Sequence, residues 1–390
     1  MSGYDANTYS RDSEDNIGLI VVGELMNKSE LLFYDAYEDF YKMAKESNAF
    51  KAFCKEAFGE DFSQDGFSNI EQIDRILEYV PSGDDVHILD IGCGNGKMLG
   101  YLQEKTGAYI HGFDYSAQAI QTAKALFPAK SEFREGIIGE IEYPEESFDV
   151  ITSMDSMYFA KDMTAFGAQI KKWLKPNGIF FVGYQEGDVM PKTESVETTV
   201  LVDTLRKNGM SFEVKDITKQ TYKLLTTKRE AAIAHKEEFE AEGYKEWFDL
   251  LMWQTECVKE PFEQFKEKMA RYIFVARKSL SYDGRKFVPQ VNTENGEADG
   301  QTVFEYHQDG NMLWADYCGG EIIKGQLLGT VDANGELDFY YQHINLQNQI
   351  RVGKCHSIPQ ILGDGKIELC EEWQWLNGDM SKGSSVIREI

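Results

Sequence analysis

The chain reads as an α/β protein followed by an all-β domain. Three observations predict this. Between residues 86 and 184, short apolar runs alternate with amphipathic stretches, the pattern of a parallel sheet covered on both faces. A turn carrying Gly92, Gly94 and Gly96 joins the first of those runs to the stretch after it. From about Ser281 onward, "HQDGNM", "DANGEL" and "LGDGKI" set Asp-Gly or Asn-Gly turns between alternating strands.

At 390 residues the chain is long for one core, and two domains are expected, at 1–278 and 279–390. The first 16 residues are polar and acidic. From about Glu24 to Glu56, Leu25, Leu32, Tyr34, Tyr37, Phe40, Tyr41 and Phe50 fall near three-and-four spacing, which predicts helix. After the loop "FSQDGFS", the stretch "IEQIDRILEYV" (70–80) predicts a second amphipathic helix, stopped by Pro81. Residues 17–80 then form a helical cap.

Strands and helices follow in turn. "VHILDIG" (86–92), "AYIHGFD" (108–114), "SEFREGI" (131–137), "SFDVITSMD" (147–155) and "GIFFVGY" (178–184) are strands, with a helix at "SAQAIQTAKALF" (116–127). "LKPNG" turns the chain into the fifth strand. "VETTVLVDTLRKNG" (196–209) is a helix and "FEVKDIT" (212–218) a sixth strand. A charged, helix-rich insertion runs from about Lys219 to Met269, so that residues 195–270 form a lid, and "RYIFVARK" (271–278) is a last strand. Beyond it, "TVFEY", "MLWADY", "LDFYYQHINL" and "IELCEEWQW" supply the β-branched and aromatic residues of a barrel or sandwich.

Charge and cysteine usage narrow the function. A formal net charge of −26 argues against broad binding to nucleic acid or an anionic membrane and leaves a small molecule as the expected partner. The cysteines form no CxxC pair, which suggests reduced thiols rather than disulfides or a zinc site, so no metal is expected. No apolar run approaches the ~20 residues of a membrane helix. The start resembles neither a signal nor a transit peptide, and a cytoplasmic enzyme is the expectation.

The glycine turn, "LDIGCGNGK" (89–97), has three candidate ligands. A phosphate loop needs GxxxxGK followed by Ser or Thr, but Met98 follows Lys97 and Ile91 stands where the first glycine belongs. A dinucleotide turn needs GxGxxG, and its third glycine falls on Lys97. The remaining candidate is S-adenosylmethionine. Asp90 before the turn suits its ammonium group, and Asp114 at the end of the second strand suits its ribose hydroxyls.

"VHILDIGCGNGK", "IHGFDYS", "SFDVITSMDSMYF" and "LKPNGIFFVGY" together resemble the ordered motifs of class I S-adenosylmethionine-dependent methyltransferases of the small-molecule type, over roughly residues 60–278. The resemblance implies a Rossmann-like seven-stranded sheet with a helical cap and insertion. It implies that Asp90, Gly92, Gly94 and Asn95 line the methionine end of the cofactor, with Ser153 nearby. Asp114 would hold the ribose, with Tyr115 against the adenine. An acid usually meets the adenine amino group after strand three, yet that position is Ile137 here. Ile138 would flank the ring, with Glu135 or Glu140 as replacements for the acid. Gln64, in a segment similar to one before strand one of some members, would also reach the cofactor.

The acceptor should sit past strands four and five. Asp155 and Tyr158 are the candidate catalytic residues, Asp155 to bind or deprotonate an amine unless it caps a helix. Tyr37, Tyr184 and Trp253 are the candidate acceptor contacts. An amine is preferred to a hydroxyl because no convincing base is in view. His235 reads as a solvated helix residue, and His87 and His111 as structural. A vestigial fold serving only to bind a ligand, and a protein methyltransferase with an open acidic groove, remain alternatives. In the C-terminal domain, Trp314, Tyr317, Tyr341, His343, Trp373 and Trp375 alternate along strands, either lining a cavity for an apolar ligand or filling a core. The domain resembles lipocalin-like barrels.

Overall fold

A computed structural model describes residues 34–63, 65–83, 85–278, 280–332, 335–362 and 365–390. Among the described residues the cap holds three helices: α1 (Tyr34–Glu46), α2 (Asn48–Phe58) and α3 (Ile70–Leu77). The single helical stretch expected up to Glu56 is broken at Ser47, whose hydroxyl caps α2 by accepting from the Phe50 N–H. The part of that stretch before Tyr34 lies outside the described residues.

Five strands and their helices follow: β1 (His87–Ile91), α4 (Lys97–Thr106), β2 (Tyr109–Asp114), α5 (Ala117–Leu126), β3 (Ser131–Glu135), β4 (Phe148–Met154), α6 (Met163–Trp173) and β5 (Leu174–Glu186). Then come α7 (Val200–Lys207), β6 (Met210–Asp216), a run of four helices, and β7 (Ala270–Lys278). The four are α8 (Thr218–Ala234), α9 (Lys236–Ala241), α10 (Lys245–Gln254) and α11 (Phe262–Lys268). The strands form one seven-stranded sheet in the order β3-β2-β1-β4-β5-β7-β6.

The sheet is mixed where the apolar runs suggested a parallel one. β7 slots between β5 and β6 and runs antiparallel to both. The helical run after β6 returns the chain on the side from which β6 left, so β7 enters reversed. Its reversed direction is masked in sequence because the strand is buried on both faces and reads like a parallel one.

Two apolar layers cover the sheet. One centres on Phe113, Trp173, Tyr184 and Phe274, the other on Ile88, Leu99, Ile110 and Phe181. A third core joins the cap to the insertion: Phe40, Phe50, Phe53 and Phe58 pack with Leu224, Ala231, Phe239 and Phe248. Cap and insertion are thus one helical layer above the carboxyl ends of the strands.

The last eight strands close into an antiparallel barrel: β8 (Lys286–Asn292), β9 (Val303–Asp309), β10 (Met312–Gly319), β11 (Ile322–Val331), β12 (Leu337–Asn345), β13 (Ile350–Ile361), β14 (Ile367–Trp375) and β15 (Lys382–Glu389). Closure removes every sheet edge. Gly310 between β9 and β10 has φ +58°, the left-handed conformation a tight hairpin needs. Of the aromatic residues expected inside, Trp314 faces outward and stacks on His307, whereas Tyr317, Tyr341, His343, Trp373 and Trp375 point in. No described helix is long and apolar enough to cross a membrane.

Candidate active site

A cavity of about 370 Å³ opens where β1, β2 and β4 end beneath the helical layer. The glycine turn forms one wall. Gly92, Gly94 and Gly96 have φ of +69°, +53° and +76°, open only to glycine without strain. Space is short as well. A Cβ on Gly92 would lie 2.7 Å from the Ser156 Cβ, and one on Gly94 would collide with the Tyr41 hydroxyl. Bare backbone therefore faces the cavity.

Two buried acids flank the turn. Asp114 fixes it directly: one carboxylate oxygen accepts from the Gly94 N–H at 3.0 Å, the other from the Ser116 N–H at 2.9 Å. Asp90 accepts from the Thr152 hydroxyl at 2.6 Å. Burial pushes Asp90 up to about 7, partly opposed by the Thr152 hydrogen bond and reinforced by Asp114. A carboxyl held this way gains from a cation placed beside it.

Lys97, out of place in a dinucleotide turn, has a different task. Its ammonium bonds Asp61 at 2.5 Å and the Ser63 hydroxyl at 2.7 Å. This ties the loop between α2 and α3 to the first turn of α4. Phe62, Ser63, Asp65, Gly66 and Ser68 of that loop line the cavity.

The roof comes from α1. Tyr37 and Tyr41 line the cavity and also pack against the cap core, in which Phe40 between them is buried. The Tyr37 ring lies 6.2 Å from Tyr41 and 6.1 Å from Tyr115. Burial raises the hydroxyls of Tyr37, Tyr41 and Tyr158 well above the usual phenol range, so all three are donors and none is a base.

Asp155 lies in the wall but is neither a free carboxylate nor a helix cap; Ser156 holds the cap position of the short helical turn at Met157–Phe159. Asp155 pairs with Arg271 at the start of β7 and accepts the Phe67 N–H at 3.3 Å. Arg271 is 1% exposed and also donates to the Ser68 hydroxyl at 2.9 Å. Asp65 is held in a similar way: buried Lys228 of α8 is 3.5 Å away and the Gln254 amide of α10 donates to it at 3.0 Å. The insertion thereby reaches the cavity through Lys228 and Gln254. Asp188, after β5, is exposed as a residue, yet its carboxyl is raised, by desolvation first and then by Asp65 and Asp155.

The expected site residues divide accordingly. The cavity brings together Asp90, Gly92, Gly94, Asn95, Asp114, Tyr115, Ile138, Asp155, Tyr158 and Tyr37. Ser153 is buried behind the wall, bonded to Ser156 at 2.9 Å, and it is Ser156 that lines the cavity. Tyr184 does not reach the cavity because its ring is packed in the sheet core against Tyr158 and Phe274. Trp253 is 58% exposed and stands outside the lining, on the solvent side of α10. Gln64 lies outside the described residues. Glu135 and Glu140 are exposed and not part of the lining, which has Gly136 and Ile137 there instead. His235 bridges Glu56 and Glu238, joining α2 to the α8–α9 junction. His87 and His111 stack at 5.1 Å on the far side of the sheet.

Sequence reasoning raised Tyr41 with Tyr37 as a possible roof but favoured plain core packing for both, and it did not find Asp65, Ser156, Lys228 or Arg271. A usable signal existed for Arg271, a charge sharing a strand face with Ile273 and Val275.

Comparison with known proteins gives the following. Residues 89–182 match the family model described as methyltransferase domain, and residues 280–390 match that described as avidin-like protein. Phosphoethanolamine N-methyltransferase 3 of Arabidopsis thaliana is 28% identical over 224 residues, 52% of this chain and 44% of the relative. The phosphoethanolamine N-methyltransferase of Plasmodium falciparum is 26% identical over 235 residues, 58% of this chain and 79% of the relative. Sterol 24-C-methyltransferase of Pneumocystis carinii is 31% identical over 153 residues, 38% and 39%. The chain thus spans less than half the length of two of these three. Phosphoethanolamine N-methyltransferase 2 of Haemonchus contortus, solved with phosphomonomethylethanolamine and S-adenosylhomocysteine, shares the fold at TM-score 0.50 and 21% identity, covering 62% of this chain and 59% of that one.

Proposed function

We propose that this chain, carrying a methyltransferase domain and an avidin-like barrel, uses S-adenosylmethionine to methylate a small amine. The observation that carries the reading is one cavity with a glycine cradle and two buried acids at one end and a roofed, acid-lined pocket at the other. The residues fit the cofactor: a Cβ would fill the cradle at Gly92, and Asp90 is a buried carboxyl that a cation would stabilise. Asp90, Gly92, Gly94 and Asn95 would hold its amino-acid end, Asp114 the ribose, and Tyr115 with Ile138 the adenine. When bound, it supplies a methyl group already activated by the sulfonium.

The chain's own residues then orient the acceptor and exclude water. None of the lining residues is a histidine, and the tyrosines stay protonated. Asp155, its carboxylate already held by Arg271 and the Phe67 N–H, is placed as an anchor for an ammonium. The acids of the cavity, Asp65, Asp90, Asp114 and Asp155, outnumber the two buried cations beside it, which favours an acceptor that enters as an ammonium, releases a proton to solvent and then reacts through the freed lone pair. The roof of Tyr37 and Tyr41 suits a small acceptor rather than an open groove for a protein. The relatives named for phosphoethanolamine support an amine. The buried cations beside the pocket, Lys228 and Arg271, are already engaged by carboxylates, which favours an amine without a phosphate.

The test is turnover of S-adenosylmethionine to S-adenosylhomocysteine with ethanolamine, monomethylethanolamine, phosphoethanolamine and matched alcohols. Turnover with the free amines is expected. Turnover with alcohols alone would end the amine reading, and failure of the chain to bind S-adenosylmethionine would end the whole of it.

A further inference from the structure

The barrel interior is not a plain apolar core. Three strands contribute one polar row: Ser357 of β13 pairs with Glu371 of β14, and Glu371 with Ser385 of β15. Alternation points all three inward, between Leu369 below and Trp373 above. The Glu371 carboxylate accepts from the Ser385 hydroxyl at 2.6 Å and the Ser357 hydroxyl at 3.3 Å. Among the described residues no lysine, arginine or histidine pairs with it. The hydroxyl of fully buried Tyr306 has no hydrogen-bond partner, and Glu371 is its strongest charged neighbour. A carboxylate enclosed without a cation is costly to the fold.

Above this row is a cavity of about 60 Å³. Its wall is aromatic. The Trp375 ring centre lies 5.5 Å from Trp373 and 5.4 Å from Tyr341. At the mouth, Glu297 bonds His343 at 2.8 Å and pairs with Arg351 at 3.2 Å; the Arg351 guanidinium itself sits 4.2 Å over Trp375. The mouth charges are therefore matched among themselves, and Trp375 already hosts a cation on one face. The unmatched charge is at the floor.

We propose that the barrel is a second binding site, for a small organic ammonium cation held between the Glu371 carboxylate and the aromatic wall of Tyr341, Trp373 and Trp375. A carboxylate supplies the opposite charge, and ring faces attract the alkylated ammonium without needing an N–H donor. An apolar ligand would leave the floor carboxylate uncompensated, and an anion would be repelled by it. Burial raises Glu371 to about 7, so a cation beside it replaces a proton that the empty barrel tends to keep. The proposal stands on the barrel alone and does not depend on the reaction proposed for the other domain.

The experiment labels the full-length chain with 5-fluorotryptophan and titrates tetramethylammonium chloride against the neutral, similarly sized tert-butanol. The expected result is a saturable shift of the Trp373 and Trp375 fluorine signals by the cation only. Glu371→Gln should weaken it at least tenfold while those signals stay dispersed, as in a folded barrel. Should that variant not fold, Trp373→Leu, read at Trp375, should show the same loss. Shifts confined to Trp247 and Trp253, equal binding of tert-butanol, or unchanged affinity in the variants would overturn the proposal. Methyl transfer is not read, so either idea can fail without the other.

Discussion

Arg271 and Asp155 lie 116 residues apart and meet as a buried ion pair beneath the acceptor end of the cavity. β7 enters the sheet beside β5, and β5 beside β4, so Arg271, the second residue of β7, stands near Asp155 just past the end of β4. Removing one partner strands the other charge. Arg271→Met should cost about 3–5 kcal/mol in urea unfolding. Asp155→Asn, with the Ser68 and Gln72 contacts of Arg271 retained, should cost less, and the double variant should recover part of the loss. Additive single costs would show that the pair is not a coupled unit.

Lys97→Met should uncouple the loop between α2 and α3 from the glycine turn. The lysine is mostly buried and so is Asp61. A charge-assisted bond of this kind contributes about 1.5–3 kcal/mol. Because the loop lines the cavity, most of that loss should appear in cofactor affinity, about tenfold by calorimetry, with a small change in melting temperature. Unchanged affinity would mean the loop holds its place without this tie.

These two contacts also mark what could be read from sequence. The strands, the glycine turn, Asp90 and Asp114 were legible because each depends on neighbours within about twenty residues. Strand periodicity exposes the apolar runs, and the turn's need for positive φ exposes Gly92, Gly94 and Gly96. Asp65, Lys228 and Arg271 come from elements brought together only by the helical layer and the reversed β7. Trp253 and Tyr184 fall outside the cavity lining for one reason: an aromatic residue's type does not say which side of its element meets the site. In the barrel the signal was present and went unread. "IELCEEWQW" puts Glu371 on the same face as Leu369, Trp373 and Trp375, an acid on an inward row.

Asp90 gives a pH prediction. Its carboxyl is raised from the ordinary 3.8 to about 7, so the folded chain binds more protons there than the unfolded chain between those values. Stability should therefore fall as pH rises through that window, and Asp90→Asn should flatten the slope. A cation seated beside Asp90 favours its ionised form. Binding of S-adenosylmethionine at pH 6 should release up to about one proton, and at pH 8.5 almost none. Calorimetry in two buffers of different ionisation enthalpy measures this directly. Equal proton release at both pH values would place the cofactor's ammonium elsewhere.

Glu242, between α9 and α10, caps a helix of another segment. Its carboxylate accepts from the Ser47 hydroxyl at 2.6 Å and from the backbone N–H groups of Asn48 at 3.1 Å and Ala49 at 3.3 Å. These are the free donors at the start of α2, where the helix dipole also favours a negative charge. The contact fastens the insertion to the cap across 195 residues of sequence, and Phe50, Phe53 and Phe239 pack beneath it. Glu242→Ala removes the cap but leaves those rings in place. The expected loss is about 1 kcal/mol of stability. The informative change is kinetic: the layer roofs the cavity through Tyr37 and Tyr41, so a looser joint should speed cofactor release several-fold while the association rate stays nearly constant. Stopped-flow measurement of both rates decides it. A slower association with unchanged release would instead show that Glu242 shapes entry to the cavity and does not hold it shut.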